Sequence, residues 1–326
     1  MKTQIVYTIT SDNNDVYLEQ VLVSLYSLRL YNPDATVILI VDDITNKTLY
    51  GQRAHLLKFI TKKIVITVPS EYNKVQRSRF LKTSIRENIK GDYLFIDSDT
   101  IITASLKDID NFPNEIGAVK DYHLYFKDIP AIKSILQKAK KIQWNVSNDD
   151  LIYFNSGVIF AKDTPKVHIL YKKWQEIWKE SVKKNMYYDQ PALGKANAEC
   201  GYIIKELDGT WNCQLLTKGL KYLYQSRIIH YFSSTQVSYS KIDDSVYYFL
   251  NKKIYEEIKM LGYIPEHTIE AIKHAQSAFS TNYELYYGTK YDFINSKTCK
   301  ALKRIYFKHP ILFKIIERIL KCCFSA

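Results

Sequence analysis

The five cysteines, Cys200, Cys213, Cys299, Cys322 and Cys323, are odd in number, and no two stand in a CxxC spacing. A disulfide framework or structural zinc site is therefore not expected, and a reducing compartment is the default. No stretch of about 18 residues is free of charge, so no transmembrane helix is expected. The opening MKTQIVYTIT lacks an apolar segment of signal-peptide length and a small-residue cleavage site, so the mature protein is expected to start at its first strand. Internal repeats, low-complexity linkers and any composition suggesting disorder are missing as well.

What is present is a chain of 326 residues, 46% hydrophobic, with a formal charge of +12. At roughly 150 residues per domain it can fold as one large or two modest domains. The positive charge suggests an acidic partner, whether nucleic acid, phosphorylated ligand or anionic membrane, and does not choose among them. The 27 tyrosines could be sugar-stacking platforms, but the accompanying wealth of Lys, Ile and Asn is explained equally well by codon usage.

Apolar runs and helical periodicities alternate through the first half. QIVYTIT (Gln4 to Thr10) reads as a strand ending in the polar turn SDNND. Leu18, Val21, Leu22, Leu25 and Leu28 are spaced for an amphipathic helix from Tyr17 to Leu30. TVILIV and KIVITV read as further strands with a polar helix, Lys47 to Phe59, between them. A helix QRSRFLKTSIRENI then leads through Gly91 into YLFIDSDTII (Tyr93 to Ile102), read as one strand carrying Asp97 and Asp99. Later, YFNSGVIFA and SRIIHYFSS read as strands and VHILYKKWQEIW as a helix. Beyond Asp243 only helical spacing persists.

Continuous apolar strands joined by helices imply an α/β fold with a mostly parallel central sheet flanked by helices. The simplest division is a catalytic domain over residues 1–243 and a helical C-terminal extension over 244–326. In such sheets ligands bind beyond the carboxyl ends of the strands, where Asp97 and Asp99 lie.

A buried carboxylate persists when it is paired or binds a cation. Two aspartates one residue apart at a strand end can both turn toward one divalent ion, Mn²⁺ or Mg²⁺, which would hold a diphosphate. An ion pair with Arg79 or Lys82 is the competing reading. A second Asp-x-Asp, Asp108 to Asp110 in KDIDNFPN, follows no strand and reads as a surface loop.

Five stretches in order give these motifs a context: TSDNN, RSRFLKT leading to GDYLFIDSDT, FNSGVIF, YYDQPAL and IIHYF. Together they resemble the GT-A nucleotide-sugar transferases, most closely the retaining family 8 glycosyltransferases of bacterial polysaccharide and lipopolysaccharide assembly. The resemblance runs from about Ile5 to Phe232, and its order is more specific than any one motif.

It implies a GT-A fold and a set of roles. Asp97, Asp99 and His230 would hold the metal. Thr10, Ser11 and Asp12 would meet the uridine, and Arg79, Ser98, Asn155, Ser156 and Gly157 would complete donor binding, Gly157 by letting the backbone approach the sugar. Asp189 and Gln190 would stand beside the anomeric carbon. Plainer readings compete at each position: a core histidine for His230, a turn-forming residue for Asp12, a strand-end turn for Asn155, and a helix cap for Asp189 ahead of Pro191. The basic stripe Arg79, Lys82 and Arg86 reads as a solvated helix face, with Arg79 the member expected at the donor.

One departure stands out. The family often places Gly and Lys soon after the late histidine, whereas HYFSSTQVSYSK has no Gly and no Lys before Lys241. Gripping of the diphosphate would then fall to Ser233, Ser234 or Lys241.

The implied activity is metal-dependent transfer of a hexose from a UDP-sugar to a glycan or lipid-linked acceptor, with retention of configuration, in cell-surface polysaccharide or lipopolysaccharide synthesis. The other readings are a sugar-nucleotide binder without turnover and a sugar-phosphate nucleotidyltransferase; against the latter, TITSDNNDVY has no glycine for a phosphate loop. Nucleic acid is not an expected partner, because the basic residues form no recognition motif. The C-terminal SKTCKALKRIYFKHPILFKIIERILKCCFSA carries eight Lys or Arg against one Glu. Ile305, Leu312, Ile316, Ile319 and Cys323 can share one face of a basic amphipathic helix interrupted near Pro310, suited to an anionic membrane. The expected location is cytoplasmic, peripheral on the inner face of the membrane.

Overall fold

Four parallel strands start the architecture. β1 (Gln4–Ile9) pairs with β2 (Val37–Asp42) on one side and β4 (Tyr93–Ile96) on the other, and β3 (Lys62–Ile66) joins β2. β6 (Ile116–Lys120), β7 (Phe154–Ala161) and β8 (Lys205–Glu206) complete a seven-stranded sheet of order β3-β2-β1-β4-β7-β6-β8. β7 runs antiparallel to both β4 and β6, so the sheet is mixed with its parallel part first. The structure is a computed structural model and describes residues 1–146, 151–215, 217–231, 250–280 and 296–324.

The sequence YLFIDSDTII is two strands, not one. β4 ends at Ile96 and β5 (Thr100–Ile102) enters a separate three-stranded sheet, β5-β10-β9, with β9 (Cys213–Gln214) and β10 (Ile228–His230). Asp97-Ser98-Asp99 is the crossing between the sheets. Two carboxylates at adjacent inward positions would break the apolar register of a single strand, and the crossing removes that conflict.

Helices cover the large sheet where their apolar spacing predicts. α1 (Tyr17–Tyr31) matches expectation within a residue. The polar segment after β2 is instead a short helix, α2 (Asp43–Thr48), followed by a 3₁₀ stretch over Gly51–Phe59. The helix before β4 breaks at Ser84 into α3 (Lys74–Thr83) and α4 (Ile85–Asn88). α5 is Ile132–Lys141, α6 is Pro165–Lys183 and α7 is Asp189–Glu199. Pro165 starts α6, and Val167, Leu170, Tyr171, Trp174 and Trp178 bury one stripe against the core formed with Leu81, Ile85, Tyr93 and Phe95. The loop around Asp110 is a 3₁₀ turn whose carboxylate accepts the N–H of Lys2 at 2.7 Å and of Thr3 at 2.9 Å.

Three further helices, α8 (Lys252–Leu261), α9 (Glu266–Lys273) and α10 (Ala275–Ser280), belong to the same compact unit, Met1–Asn282. The division expected at Asp243 lies outside the described residues, as do Ser233, Ser234 and Lys241. A second unit, Tyr283–Ala326, holds α11 (Lys297–Lys308) and α12 (Pro310–Phe324), separated at His309 just before Pro310. In it Phe307, Ile311, Leu312, Ile315 and Ile319 are exposed. No helix among the described residues is long and apolar enough to cross a membrane.

Candidate active site

The carboxyl ends of β1 and β4 and the start of the antiparallel β7 meet at one edge of the large sheet. There the Asp97 N–H donates to the Gly157 carbonyl at 2.8 Å, and the Tyr231 N–H to the Asp99 carbonyl at 3.2 Å. A cleft of about 390 Å³ opens at this edge. All the expected site residues except Ser11 and Asp12 line it.

Asp97, Asp99 and His230 come together, with one ligand atom from each lying within 4.8 Å of the others. His230 is 2% exposed and Asp99 8%. His230 Nε2 stands 3.2 Å from Asp99 Oδ1, while its Nδ1 stands 3.1 Å from Asn212 Oδ1. A hydrogen-bond chain fixes the polarity of that second contact. The Gly157 N–H can only donate, and it meets Asn155 Oδ1 at 2.9 Å. The Asn155 amide nitrogen then donates to Asp121 Oδ1, and that of Asn212 to Asn155 Oδ1, each at 2.9 Å. Asn212 therefore presents its oxygen to His230, and Nδ1 carries the proton. In the neutral ring Nε2 is left as the lone-pair nitrogen beside a carboxylate, an arrangement that a cation satisfies. Two hard oxygens and an imidazole nitrogen suit Mn²⁺, so the residues fit the divalent ion that the family generally uses.

The competing reading of an ion pair is also realised, by Lys82. Its Nζ lies 3.1 Å from Asp97 Oδ2, 3.2 Å from Ser156 Oγ and 3.6 Å from Asp189 Oδ2. The expectation of a solvated basic stripe is thus corrected: Lys82 is 2% and Arg86 1% exposed. Arg86 covers the Tyr93 ring and donates to the Gly91 carbonyl at 3.0 Å, a buried structural role. Arg79 does face the cleft, with Nε 3.0 Å from Asp189 Oδ1. The stripe turns inward because carboxylates distant in sequence wait there to pair with it.

Burial raises the Asp97 carboxyl above its ordinary value against the pull of the Lys82 ammonium. Burial pushes the Asp99 carboxyl up as well, but the facing His230, when its ring is protonated and Nε2 also donates, holds it below the ordinary value. Asp189 is also lowered: burial pushes it up, and Lys82, Arg79 and the Ser156 hydroxyl outweigh that.

Asp189 opens α7, yet Tyr188 occupies the cap position, and the Asp189 carboxylate accepts the Ser156 hydroxyl at 2.9 Å. The cap reading is therefore not the one realised. Pro191, expected as the first helical residue, is the third, still within the turn whose N–H groups lack helical partners. Gly157 has a tighter neighbour than a sugar: a Cβ there would collide with the His230 ring. Ser11 is fully buried and turned from the cleft, its N–H on Thr45 Oγ1 at 2.8 Å and its hydroxyl on Asp15 at 2.7 Å. Asp12 pairs with Lys74 at 2.6 Å, and that contact holds its carboxyl below the ordinary value. Lys74 lines the cleft in its place.

Sequence reasoning missed Asp121 and Asn212. Asp121 follows the apolar run IGAVK of β6 as Asp97 follows YLFI, a signal that could have found it; burial raises its carboxyl. Asn212 sits in a short 3₁₀ turn and has no local signature.

A family model described as glycosyl transferase family 8 matches residues 8–237. The chain belongs to that family. As a family 8 member it is a glycosyltransferase, which sets aside the nucleotidyltransferase reading. Among solved structures, its fold is similar to that of the bifunctional glycosyltransferase WbbM in its apo form, at 16% identity over 71% of this chain and 45% of that one, with a TM-score of 0.50. The chain thus spans less than half of that relative. It is also similar to the galactosyltransferase LgtC, solved in complex with donor and acceptor sugar analogues, at 18% identity over 82% of this chain and 99% of that one, with a TM-score of 0.50. A comparison with curated proteins finds no match. At these identities the structural likeness establishes the GT-A fold alone.

Proposed function

We propose that this glycosyltransferase moves a hexose from a UDP-sugar to a glycan or lipid-linked acceptor, with metal dependence and retention, in cell-surface polysaccharide or lipopolysaccharide synthesis. The observation that carries the proposal is the converging Asp97, Asp99 and His230 set, the last two buried and Asp97 half-buried at the cleft, with the His230 proton assigned to Nδ1 by Asn212. When bound, a divalent ion there, Mn²⁺ or Mg²⁺, neutralises and orients the diphosphate leaving group.

The protein's own groups do the rest. Thr10 and Asp12 border the nucleoside, with Ser11 supporting their loop. Arg79 and Lys82 bring positive charge toward the diphosphate while holding Asp189 ionised as an acceptor for sugar hydroxyls. Ser98, Asn155, Ser156 and Gly157 shape the floor beneath the sugar. Gln190 supplies an amide dipole to charge developing at the anomeric carbon. The acceptor hydroxyl attacks from the face that the leaving group departs. The exposed apolar and basic residues of α11 and α12 support a peripheral position on the inner, anionic face of the cytoplasmic membrane.

The test is a panel of nucleotide sugars with Mn²⁺ or EDTA, read as released nucleotide. Release of UDP from one sugar, abolished by EDTA and by D97A or D99A, is expected. Metal-independent release, or none together with no UDP binding by calorimetry, would overturn the proposal.

A further inference from the structure

Helix α8 lies beyond the residues that match the family, in the part of the chain expected to form an appendix, yet it reaches the loop at the end of β1. Lys259 Nζ donates to the Asp15 carbonyl at 2.9 Å and also to the Asn13 carbonyl. Two other cations hold the same loop from different sides. Lys74 pairs with Asp12 at 2.6 Å and with Asp15, and Arg53 Nη2 donates to Ser11 Oγ at 3.0 Å. Lys74 and Arg53 thus take side chains, whereas Lys259 takes the main chain itself.

The helix is a firm base for that contact. Asn251 caps its start, accepting the Ile254 N–H at 3.2 Å, and Gly262 ends it with φ 74°, a left-handed turn that favours glycine. The Gly262 carbonyl meets His55 Nδ1 at 2.7 Å. In the middle, Tyr255 is fully buried and its hydroxyl bonds that of Tyr231. Tyr231 follows His230 and donates its N–H to the Asp99 carbonyl at 3.2 Å. One helix therefore reaches both the Thr10–Asp15 loop and the strand that carries His230.

We infer that Lys259 is a positioning residue for the nucleotide-sugar donor: it clamps the main chain of the Thr10–Asp15 loop, so that α8 sets donor affinity without touching the reacting atoms. This rests on the donor reading above. A loop of turn residues has no strand or helix partners to order its carbonyls, and ordering it upon binding would draw on the donor's binding free energy. Lys259 supplies that order beforehand.

The variants are K259M, K259R and K252M, the last on the exposed side of the same helix. K259M should raise the UDP Kd by calorimetry with Mn²⁺, and the donor KM, by about tenfold, with kcat at saturating donor changed less than about twofold. Amide exchange over residues 10–16 should quicken in K259M, K259R should recover most of the affinity, and K252M should match wild type. K259Q, with a shorter neutral donor, should fall between, and is read alone if K259M does not fold. Unchanged KM and exchange in K259M, or a joint fall of kcat and Tm in K259M and K252M alike, would overturn the inference. Wild type that binds UDP while K259M binds it equally well defeats this inference alone; wild type that binds no UDP defeats the donor reading and this inference with it.

Discussion

Replacing Gly157 with alanine adds one methyl group where the His230 ring lies against the main chain. The new Cβ would collide with His230 Cε1 and stand 2.9 Å from both His230 Nδ1 and Asn155 Oδ1. Ordinary contacts between such atoms are about 3.5 Å, so the ring or the strand must yield by roughly half an ångström or more. The ring has nowhere easy to go: it is 2% exposed and its Nδ1 proton is committed to Asn212. The strand is equally tied, because the Gly157 carbonyl accepts the Asp97 N–H. Overpacking of this kind costs about 1–3 kcal/mol, which in a protein of this size lowers Tm by only a few degrees. Function should suffer more, since displacing His230 moves Nε2 relative to both aspartates. Disturbing the partners that orient a metal ligand weakens metal binding by about 10–100-fold. The assay is UDP release against Mn²⁺ concentration for wild type and G157A, with circular dichroism melts alongside. A G157A protein with the wild-type Mn²⁺ half-saturation point would refute the packing argument; a melt lowered far beyond a few degrees would refute the claim that the damage is local.

Two other perturbations follow from the same geometry. Lys82→Met removes the buried cation between Asp97 and Asp189, and leaving such charges unpaired costs about 3–5 kcal/mol; urea midpoints should fall accordingly, and an unchanged midpoint would show that the pair contributes nothing. His123 is buried with Nε2 accepting the Gln214 N–H at 3.2 Å, and burial, with Lys221 adding to it, pulls its pKa to about 4. Protons therefore bind the unfolded chain first. The stability held by neutral His123 is complete above the unfolded value of about 6.5 and declines as pH falls toward 4, by up to about 3 kcal/mol. Urea unfolding at pH 7.5, 5.5 and 4.5 should show that slope and His123→Gln should flatten it; an identical slope in the variant would exclude His123 as its source.

The parallel strands and α1 were legible because each is a local pattern: an apolar run or a 3.6-residue stripe next to a turn. The site was legible in part for the same reason, since Asp97, Asp99 and Asp189 stand at element ends that the periodicity marks. Lys82 reads both as a partner of Asp97 and as part of a solvated face, and Arg86 only as the latter, because no local rule separates a lysine facing water from one facing a carboxylate 15 residues away; only the folded sheet makes Asp97 its neighbour. The crossing of YLFIDSDTII between sheets was hidden too, because Thr100-Ile101-Ile102 has the same strand character wherever it pairs. Asn212 and Lys259 carry no signature at all. Their contacts are with groups tens or hundreds of residues distant, and only β10 and α8, once packed, bring them near.

The crossing at Asp97-Ser98-Asp99 also has a mechanical side. Asp97 hangs from the seven-stranded sheet and Asp99 leads into the three-stranded one, which also carries His230. An ion gripped by all three would be a rivet through two plates. Its grip would resist shear between them, so that tightness of binding and rigidity of the joint would be one quantity seen from two directions.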